Sequence, residues 1–117
     1  MLERDIERPS VKDARKDGFY VRKYKAPGRR SAPDDIFARN GRVFFIEYKA
    51  TGCEPTELQY EEHKTMREHG LTVYWTDSRE GHKRIMERER PYVMGMSLPV
   101  GWDYGKAFSE NNCWNPI

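Results

Sequence analysis

The sequence predicts an α/β domain, a β-sheet covered by helices on both faces. Three observations carry this. Helix-like and strand-like patterns alternate along the chain. Asn40-Gly41 marks a two-residue hairpin, because both turn residues tolerate positive φ. The strand after it carries three consecutive apolar residues, Phe44, Phe45 and Ile46, which calls for cover on both faces of the sheet. At 117 residues the chain has the length of one domain, and its aromatic content of 13% gives that domain a core.

The elements follow in order. Residues 3–17 read as a helix with Ile6, Val11 and Ala14 near one face and Gly18 as its stop. Pro9 suits that helix best if it begins near Glu7, where a missing N–H matters least. Phe19 to Lys25 is aromatic and β-branched, a strand, and residues 26–33 form a loop with Arg29 and Arg30 at its centre. The hairpin strands run over about 34–39 and 42–49. After a short loop, Pro55 opens a helix to about His69, stopped by Gly70, and Leu71 to Thr76 forms another buried strand. Ser78 caps a last helix through about Arg90, ended by Pro91. The domain thus spans 1–90, and 91–117 is a Gly/Pro-rich tail whose Tyr92, Trp102, Tyr104, Phe108 and Trp114 pack on the domain or on a partner subunit.

No apolar stretch reaches 18 residues and the N-terminus lacks the apolar region of a signal peptide, so a cytoplasmic protein is expected. Cys53 and Cys113 make no disulfide framework. Net charge is +2, but unevenly spread: residues 1–30 hold ten Lys/Arg against five acids. Such a basic third can face a polyanion or simply decorate a solvated surface, and the charge alone does not decide between them.

The chemistry concentrates in the hairpin. With Asn40-Gly41 as the turn, paired residue numbers sum to 81, so Arg39 faces Arg42, Ile36 faces Phe45 and Asp34 faces Glu47. Two carboxylates directly opposite, with Cβ atoms roughly 5 Å apart, repel and call for a proton or a cation. Lys49 lies two residues beyond Glu47, on the same face. Oxygen ligands of this kind suit Mg²⁺ or Mn²⁺, which keep waters and bind phosphate oxygens. The alternative is a surface salt bridge between Lys49 and one acid. A second Glu-x-Lys, Glu62-His63-Lys64, falls on a helix, where such residues diverge, and has no aspartate opposite.

Ala32-Pro33-Asp34 followed by Glu47-Tyr48-Lys49 at the end of an apolar strand resembles the PD-(D/E)xK nuclease superfamily. Gln59 early in the next helix, and the run from Pro33 on to the LTVYWTDS segment, resemble the VRR-NUC family within it. The likeness covers roughly residues 7–84. It implies a central mixed sheet flanked by helices and Mg²⁺- or Mn²⁺-dependent hydrolysis of phosphodiester bonds. In the roles it implies, Asp34, Glu47 and the Tyr48 backbone carbonyl bind metal, Lys49 assists the nucleophilic water and Gln59 orients the site. Glu7, ahead of the competing Glu3, adds a metal or water contact, and Asp35 stands beside Asp34 as a second candidate ligand. Small stand-alone members are associated with homodimers acting on branched DNA, including four-way junctions, so a phage or bacterial enzyme acting in the host cell is implied.

Arg29, Arg30, Lys12, Arg15 and Lys25 are candidate contacts to the DNA backbone. His63, His69 and His82 have no zinc spacing and read as surface or partly packed, with His63 on the Gln59 face of its helix. Two other functions remain open: a restriction-type or general endonuclease of the same superfamily, and a non-catalytic DNA-binding module. Clustered carboxylates argue against the second, since without metal they repel DNA.

Overall fold

The structure is a computed structural model and describes residues 1–25, 28 and 31–94. Arg29, Arg30 and residues 95–117, with Trp102, Tyr104, Phe108 and Trp114, lie outside the described residues.

Helix α1 spans Glu3–Lys16, with Ile6, Ser10, Val11 and Ala14 buried. Acids in its first turn and Arg15 and Lys16 in its last complement the helix dipole. It starts at Glu3, as the 3–17 reading expected, which puts Pro9 inside it rather than near its first turn. The bond Pro9 forgoes, to the Asp5 carbonyl, is on the exposed side where water can replace it. The Ser10 hydroxyl donates to the Ile6 carbonyl at 2.6 Å one residue later. Gly18, at φ 91°, ends the helix as expected, with the Gly18 N–H donating to the Arg15 carbonyl and the Phe19 N–H to that of Ala14.

Four strands follow the order β1-β2-β3-β4. They are β1 (Tyr20–Lys23), β2 (Asp35–Arg39), β3 (Arg42–Tyr48) and β4 (Val73–Thr76), with the first three antiparallel and β4 parallel to β3. The sheet is mixed, as the family resemblance implied. Asn40 and Gly41 take φ of 51° and 83°, and the register Arg39↔Arg42 and Ile36↔Phe45 is the one the turn dictates.

Helix α2 (Glu57–Glu68) is the crossover from β3 to β4, and α3 (Arg79–Val93) follows β4. On one face of the sheet Phe37, Phe44, Ile46, Tyr48 and Tyr74 pack with Ile6 and Ala14 of α1 and Ile85 and Val93 of α3. On the other, Phe45 and Val73 pack with Met66 of α2. The consecutive apolar residues of β3 are thereby explained: neighbours along a strand point to opposite, equally covered faces.

The last helix corrects an expectation. Pro91 does not end it, and the boundary expected after Arg90 falls inside α3. Val93 sits in the core, the Asn40 side-chain amide donates to its carbonyl, and the Arg42 guanidinium lies 4.0 Å from the Tyr92 ring centroid. These contacts offset the single hydrogen bond that proline removes.

Candidate active site

The start of β2, the end of β3 and the N-termini of α1 and α2 meet at one end of the sheet. The ladder closes at Asp35↔Ile46, so Asp34 lies one residue beyond it and not in a ladder pair with Glu47 as the arithmetic expected. The reason is local. The Asp34 carboxylate accepts the Tyr48 backbone N–H at 2.8 Å, and its carbonyl accepts that of Tyr24 at 2.9 Å. Asp34 therefore caps β3 with its side chain. It still feels the Glu47 charge, and burial first, then Glu3, Glu7 and Glu47, push its carboxyl up to about 7.

Glu47 is 1% exposed. Its Oε1 lies 2.7 Å from Nε2 of His63, a residue with no exposure at all. Its Oε2 has no hydrogen-bond partner and sits 3.9 Å from the Lys49 ammonium. Lys49 in turn donates to Gln59 Oε1 at 3.2 Å. Gln59 owes its fixed position to a capping box: Thr56 Oγ1 accepts the Gln59 N–H, and Gln59 Oε1 accepts the Thr56 N–H at 2.8 Å. The Tyr48 side chain points to the opposite face, where its hydroxyl is hydrogen-bonded to His82 Nδ1 at 3.0 Å, so only its backbone can serve the site. Burial, with Arg79 adding to it, pushes His82 down to about 4, which keeps that imidazole neutral.

The two helical glutamates separate. Burial raises the Glu3 carboxyl, and Lys49, Glu47 and Asp34 all act on it. Glu7, one turn on, accepts from the Lys23 ammonium and is influenced by Asp35. Burial pushes Glu7 up, but Asp35 and the Lys23 ammonium outweigh it and hold its carboxyl below the usual range. Asp35, 2% exposed, is pushed up to about 8 by burial and by Glu7, and its Oδ2 has no partner. Both Glu3, weighed second in the sequence, and Glu7 join burial in raising the Asp34 carboxyl.

Lys12, Arg15 and Lys25 are exposed. Arg15 is partly committed, donating to the Val21 carbonyl at 2.9 Å. His63 and His82 are buried, where surface or partly packed positions were expected; only His69 is exposed. The signal for His63 was its place four residues after Gln59, on the same helix face.

The donor set suits a hard divalent cation. Glu47 Oε2 is buried and unpartnered, and Asp34 is crowded by three other carboxylates with Lys49 as the neighbouring cation. Among the described residues no three His, Cys, Asp or Glu side chains already converge as ligands. A cation would accordingly take two carboxylates, a backbone oxygen and water.

No family model matches the chain. It is similar to a protein of Acyrthosiphon pisum secondary endosymbiont phage 1 described as "Putative nuclease p44", 39% identical over 79 residues, which are 67% of this chain and 85% of the phage protein. Among solved structures, one described as a VRR_NUC domain superposes with a TM-score of 0.67 at 26% identity, over 73% of this chain and 94% of that one.

Proposed function

The chain belongs to the VRR-NUC nuclease family, and we propose that it is a Mg²⁺- or Mn²⁺-dependent endonuclease that cuts branched DNA such as four-way junctions. The observation that carries the reading is a buried Glu47 whose Oε2 is unpartnered, 3.9 Å from Lys49, with the Asp34 carboxyl close enough to feel its charge.

Asp34, Glu47 and the Tyr48 carbonyl would hold the cation, with Glu3 or Glu7 close enough to contribute through water. When bound, the ion supplies Lewis acidity toward a phosphate oxygen and lowers the pKa of water. The rest is done by the chain. The Lys49 ammonium, held by Gln59, sits where it can orient an attacking water and balance charge on the phosphate. His63 takes one Glu47 oxygen out of contention and leaves the other facing the site. Exposed Lys12 and Lys25, with Arg15, would contact the DNA backbone without reading sequence. Cutting both strands of a junction needs two such sites, which a two-fold homodimer would provide. No helix among the described residues is long and apolar enough to cross a membrane, and action on DNA in a host cell is the setting this reading implies.

Labelled duplex, flap, splayed-arm and four-way-junction DNA incubated with Mg²⁺, Mn²⁺ or EDTA tests the proposal, with light scattering for the dimer. Junction cutting abolished by EDTA supports it. Preference for linear duplex points to the general-endonuclease reading, and tight, salt-sensitive binding without cutting points to the binding module.

A further inference from the structure

Helix α2 crosses the end of β3 in the opposite direction, and the two elements share a spacing. Residues four apart on a helix are about 6 Å apart along its axis. Residues two apart on a strand are separated by roughly 6.7 Å. Gln59 and His63 are four apart on α2; Glu47 and Lys49 are two apart at the end of β3. The match is used contact by contact. Gln59 Oε1 accepts from the Lys49 ammonium at 3.2 Å, and His63 Nε2 lies 2.7 Å from Glu47 Oε1.

The proton on His63 follows from its surroundings. A carboxylate oxygen accepts, so Nε2 carries the hydrogen. Nδ1 is buried without a partner, and in this tautomer it leaves only a lone pair unsatisfied rather than a donor. The hydrogen bond fixes both the position of Glu47 and its division of labour, with Oε1 engaged and Oε2 free.

We propose that His63 is a positioning residue for the nuclease site: by gripping Oε1 it presents Glu47 Oε2 to a divalent cation, as Gln59 presents the Lys49 ammonium. The inference rests on the metal-dependent reading above. It adds that α2 is a two-tooth bracket for the Glu-x-Lys pair, a role that a mere filler of the core under α2 would not have.

The test is Mn²⁺ affinity of the free protein by titration calorimetry, so that activity is not the readout. His63→Leu keeps bulk without a donor. His63→Gln places an amide N–H near the position of Nε2, and His63→Asn places one a bond too short. Circular dichroism checks folding of each. Losing an outer hydrogen bond to a metal ligand costs about 10- to 100-fold in affinity. That loss is expected in His63→Leu and His63→Asn, with His63→Gln returning to within about threefold of wild type. A folded His63→Leu that binds Mn²⁺ like wild type overturns the inference, as does His63→Gln binding no better than His63→Asn. If His63→Leu does not fold, the Gln–Asn comparison alone decides. Wild type failing to bind Mn²⁺ while Asp34→Asn behaves identically overturns the metal reading itself, and this inference with it.

Discussion

Each end of strand β3 meets a buried carboxylate, Glu89 of α3 at its start and its own Glu47 at the far end, and the two ends are built on opposite principles. At its start, Arg42 meets Glu89, which has no exposure; Arg42 donates to both carboxylate oxygens at 2.6 and 3.1 Å, and the Tyr74 hydroxyl donates to one of them. At its far end Glu47 is as deeply buried, yet one oxygen lacks a partner, and Asp34 and Glu3 both feel its charge. The first end satisfies its charge and locks α3 to the sheet. The second keeps a surplus of negative charge that folding alone does not need. Such a contrast within one strand separates the part of the molecule organised for stability from the part organised for chemistry.

If that contrast is right, substitutions at the two ends should divide cleanly between activity and stability. The largest effect is expected from Asp34→Ala, Glu47→Ala or Lys49→Ala, each lowering cleavage by about 1000-fold or more in a gel assay with Mg²⁺. Arg42→Met should do the reverse. Stranding the buried Glu89 costs about 3 kcal/mol in urea unfolding, with cleavage by the folded fraction retained.

Asp34→Asn sharpens the comparison through pH. The Asp34 carboxyl has a folded pKa of about 7 against an ordinary 3.8, so the folded state holds a proton that the unfolded chain releases. Its contribution to stability is therefore present below about pH 4 and lost as pH rises through 7. At pH 8 without divalent cations, Asp34→Asn should be more stable than wild type by on the order of 2 kcal/mol, while remaining inactive. Equal melting temperatures across pH 5–8 would count against the crowding. The smallest effect belongs to Gln59. Gln59→Ala loses the capping box, at about 1 kcal/mol, and also frees Lys49; Thr56→Ala loses the cap while leaving Gln59 Oε1 for Lys49, so comparing the two isolates the second effect in the cleavage rate.

Much of the fold was legible because its signals are local. Asn40-Gly41 sets the hairpin register through two positive φ angles, and Gly18 stops α1 by the same freedom. The capping box Thr56-x-x-Gln59 is equally local and readable, although Gln59 was singled out for its place in the site. Pro91 misled for the converse reason. Pro9 and Pro91 each remove one helical bond, a local cost, while α1 and α3 are held by burial against the sheet.

The sequence by itself determined the hairpin register and put Glu47 and Lys49 on one face of one strand, because turn stereochemistry and strand alternation act over a few residues; the mixed sheet and the interest of Gln59 came from the family resemblance. Only the tertiary structure decided that Asp34 caps β3 instead of pairing with Glu47, and that His63 grips Glu47. Both depend on how separate elements meet at the end of the sheet. Packing over the whole domain sets those distances, and no short-range rule contains them.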